Sequence, residues 1–198
     1  MFLAITGYKG SGKDTFAQAL LGNNNTSWLI YGNKPWLSSN DIPKVTCSLA
    51  QPIKTLVHNH IQLPYSEQIK DMLVPSGGTI PCIGGSSDGM TIRQMYIAVA
   101  QEAKKHNPYI WVETLISSNT SGIVTDVRFP CELERLHCPS IRIYRSKVAF
   151  PDDITETSLD DYRCDYFAVT EESEVILLIT KFPQYTGYTL VSNIARVN

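Results

Sequence analysis

Short apolar runs, bounded by glycine or polar residues, alternate along this chain with segments of helical periodicity. Phe2-Leu3-Ala4-Ile5-Thr6 reads as a buried strand. A glycine-rich turn follows. In residues 13–21, Phe16, Ala19 and Leu20 then recur at helical spacing. Residues 22–40 are rich in Asn, Ser and Gly and read as an irregular surface segment. Residues 44–48 form a short second strand. Ile53, Leu56, Val57 and Ile61 predict a helix starting just after Pro52, a favoured first helical residue. Residues 75–89 hold five glycines and two prolines and read as a loop or flexible insertion. Thr91 is placed to cap the best helix of the chain, where Ile92, Met95, Tyr96, Val99 and Ala103 share one face. Lys104, Lys105 and His106, then Asn107-Pro108, mark its end.

Residues 110–117 predict a further helix, and residues 122–126 a third strand with Asp126 at its C-terminal end. Residues 132–136 read as a short helix and 140–144 as a fourth strand. Residues 147–163 are polar. Tyr166–Val169 reads as a fifth strand, and 173–180 as either a helix or a β-branched strand. The tail from Pro183 carries no clear pattern. Strands alternating with helices imply an α/β fold with a mostly parallel sheet covered on both faces.

The 198 residues suggest one domain with a sizeable core. Apolar residues make up 43% and charged residues 18%, which argues against disorder. Lys and Arg total 17 against 19 Asp and Glu, so the net charge of -2 gives no basic excess of the nucleic-acid-coating kind. The longest apolar stretch, residues 174–181, is too short to span a bilayer. Residues 1–6 are apolar but run at once into Gly and Lys, unlike a signal peptide. Cys47, Cys82, Cys131, Cys138 and Cys164 are odd in number and widely spaced, which predicts reduced thiols in the cytoplasm rather than zinc or disulfides.

Residues 7–15, Gly-Tyr-Lys-Gly-Ser-Gly-Lys-Asp-Thr, carry the strongest chemical signal. Gly7 and Gly12 followed by Lys13 fit a phosphate-binding turn lying between a strand and a helix. Such glycines let backbone N–H groups curl toward phosphate oxygens, and the helix N-terminus adds partial positive charge. Lys13 would reach the β- and γ-phosphates. Asp14 stands where a Ser or Thr ligand to Mg²⁺ is usual, and its carboxylate would hold the ion directly or through water. Thr15 is placed for an α-phosphate. The bland alternative is an ordinary glycine turn.

Asp126 ends a strand and Arg128 follows, at the sheet edge where α/β proteins bind ligands. Asp126 can orient metal-bound water and Arg128 can fork two phosphate oxygens. The alternative is a capping Asp and a surface Arg. Arg93 occupies the first turn of the Thr91 helix, where the macrodipole disfavours a cation unless an anion binds there. Lys54 is placed similarly after Pro52. Arg142, Arg145 and Arg163 flank the polar 147–163 segment, which reads as either a lid over phosphates or a surface loop. Tyr109 and Trp111 suit base stacking or core packing.

These segments together resemble the phage-type deoxynucleoside monophosphate kinases of bacteriophages and large DNA viruses. The resemblance lies in GYKGSGKDT (7–15), CSLAQPIKTL (47–56), TIRQMY (91–96), NPYIWV (107–112), VTDVRFPCELE (124–134), IRIYR (141–145) and DITETSLDD (153–161), in that order. It implies the P-loop nucleoside monophosphate kinase fold: a parallel five-stranded sheet flanked by helices, with a lid. It implies one kinase domain over 1–198, with monophosphate-binding helices near 50–120, a lid near 146–163 and a variable tail at 183–198. The reaction would be ATP- and Mg²⁺-dependent transfer to a deoxynucleoside monophosphate in the cytoplasm, that of the host if the chain is viral.

By the resemblance Gly10, Ser11, Gly12, Lys13, Asp14 and Thr15 hold ATP. Lys9, Lys54, Arg93, Trp111, Asp126 and Arg128 bind or orient the acceptor. Lys13, Arg128 and Arg145 serve catalysis, and Asp14 and Asp126 the metal. No nucleic acid or membrane partner is implied, and a homodimer is compatible. The family often has Gln where Ile97 stands, Asn where Cys131 stands and His where Asp153 stands, so base preference does not carry over. The rival expectations are a phosphomevalonate or dephospho-coenzyme A kinase, and a non-catalytic nucleotide-binding module.

Overall fold

A computed structural model describes residues 1–81, 83–148 and 157–194. Cys82, Asp153, part of the expected lid and the last four residues of the tail lie outside them. The chain divides into two compact units, Met1–Ser48 with Asn119–Asn198, and Leu49–Ser118.

The first unit is an α/β layer structure around one seven-stranded sheet. Its strands are β1 (Phe2–Thr6), β2 (Trp28–Gly32), β3 (Thr46–Cys47), β4 (Gly122–Val124), β5 (Ser140–Ile143), β6 (Tyr166–Val169) and β7 (Thr189–Ile194). They lie in the order β3-β4-β1-β5-β6-β2-β7. The first five in that order are mutually parallel. β2 runs antiparallel to β6, and β7 antiparallel to β2. The expected five-stranded parallel sheet is therefore present but extended by two antiparallel strands. One of these lies inside residues 22–40, expected to be irregular, and the other in the tail that carried no pattern.

The strands explain the layers. β1, β4, β5 and β6 are buried at every position, as parallel strands covered on both faces must be. Along β6 the side chains alternate between two cores. Tyr166 and Ala168 join Leu3, Ile5, Trp28 and Phe16 on the side of helix α1 (Lys13–Leu20). Phe167 and Val169 join Leu178 of the last helix, with Phe182 and Tyr185. Trp28 is fully buried and meets Phe16 edge-on at 5.2 Å.

The second unit consists mainly of helices: α2 (Gln51–Ile61), α3 (Ile92–His106) and α4 (Ile110–Ser118). Ile53, Val57, Ile92, Met95, Val99 and Trp111 form its core. Thr91 caps α3 as expected. Its hydroxyl accepts the Gln94 N–H at 3.2 Å, and the Gln94 side chain accepts the Thr91 N–H at 2.7 Å. Back in the first unit, α5 (Pro130–Leu136) follows β4 with its proline in the first turn, and α6 (Ser173–Lys181) follows β6. Residues 173–180 are thus helical, not extended. The apolar 175–179 run has one face on the core, while Ile176 and Leu177 are exposed.

A buried carboxylate pins α6. Glu174 is 5% exposed; one oxygen accepts the Ser146 N–H and hydroxyl at 2.8 and 3.1 Å, and the other accepts the same groups of Thr170 at 3.1 and 3.0 Å. Burial alone would raise its pKa, but these donors outweigh it and hold the carboxyl below its usual value. A depressed folded pKa gives stability that is present above the unfolded pKa and is lost as pH falls through the folded one. Glu174→Gln should therefore cost about 1–3 kcal/mol at neutral pH, because an amide N–H₂ then faces donors. Urea unfolding at stepped pH should show this gap closing below pH 4.5.

Candidate functional site

β1 is the sheet's switch point, with β4 on one side and β5 on the other. The crevice beyond its C-terminal end is where open α/β sheets take ligands. The 7–12 turn leaves β1 there. Gly7 has φ 134°, and a Cβ on it would lie 2.5 Å from the Ile143 carbonyl oxygen, so only glycine fits. Gly12 opens α1 in the left-handed region at φ 96°, and no side chain caps this helix end. The Ser11 hydroxyl, 2% exposed, has no hydrogen-bond partner among the described residues. A buried hydroxyl left unpaired inside such a turn suits an anionic ligand that can accept from it.

A cavity of about 200 Å³ adjoins the turn. Lys13, Asp14, Asp126, Arg128 and Arg142 line it, together with Gly7, Thr125 and Leu159. All belong to the first unit. Lys13 Nζ folds back onto the carbonyls of Gly7 and Tyr8 at 2.6 and 2.9 Å. Asp14 accepts the Thr125 hydroxyl at 2.8 Å, and Asp126 the Ser48 hydroxyl at 2.6 Å. Arg128 is positioned by its backbone. Its N–H and that of Phe129 both donate to the buried Glu132 carboxylate, at 2.9 and 3.2 Å, while its carbonyl accepts from Ser158. Burial pushes the neighbouring Cys47 thiol pKa up, and Asp126 adds to it, which keeps that sulfur a neutral thiol.

The cavity therefore joins Lys13, Asp14, Asp126 and Arg128, four of the residues singled out in the sequence. Lys9 and Gly10 stand exposed at the tip of the turn, and Thr15 lies within α1. Arg145 is not among the lining residues. Its guanidinium lies against Gly12 and 5.2 Å over the Trp28 ring, with Nε buried and unpaired among the described residues.

The other candidates belong to the second unit. Lys54 Nζ donates to the Tyr65 hydroxyl at 2.9 Å and lies 3.6 Å from Glu67. Lys70 and Tyr65 hold the Glu67 carboxyl down to about 2. Arg93 forks Asp71 through Nε and Nη2 at 2.7 and 3.1 Å, so this first-turn cation is answered by a carboxylate of its own unit in a solvent-exposed pair. Trp111 is a core residue, 9% exposed, donating to the Ala100 carbonyl at 3.4 Å.

Of the lining residues, Thr125, Val127 and Leu159 give no signal as site residues. Arg142 reads in the sequence only as a cation flanking the polar 147–163 segment, yet an arginine between two isoleucines of a strand buried on both faces must have a buried partner. Chemically, the cavity offers three cations and two carboxylates around an uncapped helix end. It suits a phosphoanion, and its hard oxygen donors suit Mg²⁺ rather than a soft metal. Among the described residues no three His, Cys, Asp or Glu side chains converge to hold an ion unaided, so ligand oxygens and water would complete its shell. No helix of the described residues is long and apolar enough to cross a membrane.

No family model and no curated protein matches the chain.

The glycines separate two kinds of constraint. Gly7→Ala should cost more than about 2 kcal/mol, combining a backbone clash with positive φ. Gly10→Ala meets no atom within 4 Å and carries only the strain of φ 80°, which should cost about 1 kcal/mol. Denaturant unfolding of the two variants compares them directly, and equal losses would mean that the Ile143 carbonyl yields.

Proposed function

We propose that the chain is an ATP-dependent deoxynucleoside monophosphate kinase, transferring the γ-phosphoryl group of ATP to the phosphate of a deoxynucleoside monophosphate. The observation that carries the reading is the convergence of Lys13, Asp14, Asp126 and Arg128 on one cavity beside an uncapped glycine turn at the end of the central strand. The parallel order β3-β4-β1-β5-β6, with the turn leaving its middle strand, supports the P-loop reading. The nucleotide acceptor rests on the ordered segments between residues 47 and 161 that resemble those kinases.

In this reaction the bond from γ-phosphorus to the β–γ bridging oxygen breaks, and one from γ-phosphorus to an acceptor phosphate oxygen forms. ADP leaves with the bridging oxygen. The acceptor oxygen is already ionised, so no general base is needed, and positioning and charge neutralisation dominate. N–H groups at the start of α1 take phosphate oxygens, and the Ser11 hydroxyl gains its acceptor. Lys13 trades two backbone carbonyls for β- and γ-oxygens, a small swing because both carbonyls belong to the same turn. Arg128 forks the transferring or acceptor phosphate. Asp14 and Asp126 would hold Mg²⁺, which supplies charge neutralisation on the phosphates when bound. Arg93, assigned to the acceptor, would exchange the Asp71 carboxylate for phosphate.

The test is an ADP-release assay with Mg²⁺, run on each deoxynucleoside monophosphate, its ribose counterpart and phosphomevalonate. Turnover on deoxynucleotides is expected. Turnover on phosphomevalonate alone, or none with ATP bound, would replace this reading with one of its rivals. Lys13→Ala should lower kcat by about 10²–10³ without lowering the melting temperature, since it removes charge stabilisation rather than core. Near-normal turnover of the folded variant would remove phosphoryl transfer at this turn. Arg93→Ala should raise the acceptor KM about tenfold and leave the ATP KM within about twofold. Equal rises in both would take Arg93 out of the acceptor site.

A further inference from the structure

Arg142 is the most enclosed charge beside the cavity, 2% exposed on β5. Its guanidinium donates to the Leu159 carbonyl at 2.8 Å and to Asp160 Oδ1 at 2.5 Å, and stacks 4.2 Å over the Phe182 ring. Asp160 does more than pair with it. Its second oxygen accepts the Tyr8 hydroxyl at 2.7 Å, and its backbone carbonyl accepts from the Gln184 side chain. One carboxylate thus ties a cation of the cavity wall to the second residue of the glycine turn. Burial, then Asp160 itself, pushes the Tyr8 phenol up, so it stays a neutral donor to this carboxylate. Arg142 lines the cavity and Asp160 stands behind it.

We propose that Asp160 is the internal counter-ion of the cavity: a positioning residue that holds Arg142 in place and whose negative charge a phosphoanion must compete against. Three cations open onto the cavity, and Asp160 offsets the most buried of them directly. In a partly dehydrated setting a unit charge a few ångströms behind the wall is felt strongly by a polyanion. The carboxylate keeps a desolvated guanidinium paired before ligand arrives. A phosphate chain entering the cavity then competes with that carboxylate for the guanidinium. The inference rests on the phosphoanion site proposed above.

The sign of one substitution separates this role from a purely structural one. If Asp160 only holds Arg142 in place, Asp160→Asn loosens the guanidinium and weakens anion binding. If it is the competing counter-ion, D160N tightens it. Calorimetric titration with metal-free inorganic tripolyphosphate at fixed ionic strength reads the difference. We expect D160N to bind about fivefold tighter. Asp160→Glu, which keeps the charge, should stay near wild-type affinity. Should D160N not fold alone, the neutral pair R142Q/D160N compared with R142Q asks the same question, since both lack the guanidinium and differ only in the residual carboxylate. The double variant should then bind about threefold tighter than R142Q. Equal or weaker binding on removing the carboxylate, in either background, overturns the counter-ion role while leaving the phosphate site intact. No tripolyphosphate binding by the wild type, or binding unchanged by Lys13→Ala, overturns the site itself and the counter-ion role with it.

Discussion

The structure turns on one close approach. β1 sits in the middle of the sheet with no face open to water, so the chain leaving it must bend at once, against the end of β5. At Gly7 the backbone passes so near the Ile143 carbonyl that no side chain fits. The bend made there sets where Gly12 starts α1, and hence where Lys13 and Asp14 emerge. The same strand end fixes β4 as a neighbour, which carries Asp126 and Arg128 to the same crevice. Sheet burial and site geometry are consequences of one constraint.

The charges collected at that crevice would be costly if left bare. Lys13, Asp14, Asp126 and Arg142 have answering groups within the same wall: carbonyls of the turn for Lys13, hydroxyls of Thr125 and Ser48 for Asp14 and Asp126, and a carboxylate and an aromatic face for Arg142. These answers are polar and local. A ligand that supplies stronger ones can displace them without disturbing the apolar cores on either side of the sheet.

Much of this was legible in the sequence because it follows from local pattern. The apolar run of β1, the glycine spacing, the Thr91 cap and Asp126 after an apolar triplet each announce themselves within a few residues. β2 did not. Trp28-Leu29-Ile30-Tyr31 is a good strand in itself, but the Asn and Ser flanking it carried the segment toward an irregular reading. β7 was hidden differently: it lies at the sheet edge and none of its side chains is buried, so its hydrophobic signature is weak. Asp160 was out of reach for a third reason. Its meaning depends on Arg142 and Tyr8, far away in the chain, and spacing cannot reveal such a partnership.

The antiparallel flank has a bearing on how the chain is made. β2, carrying the fully buried Trp28, pairs with β6 and β7 at residues 166–169 and 189–194. On a ribosome, the N-terminal strands emerge long before the partners that cover them. An apolar strand whose ladder is completed only by the last part of the chain must wait, and such waiting strands invite association with other nascent chains. Lys34 and Pro35, which follow closely on β2, are the charge and the proline that disfavour such association during that interval.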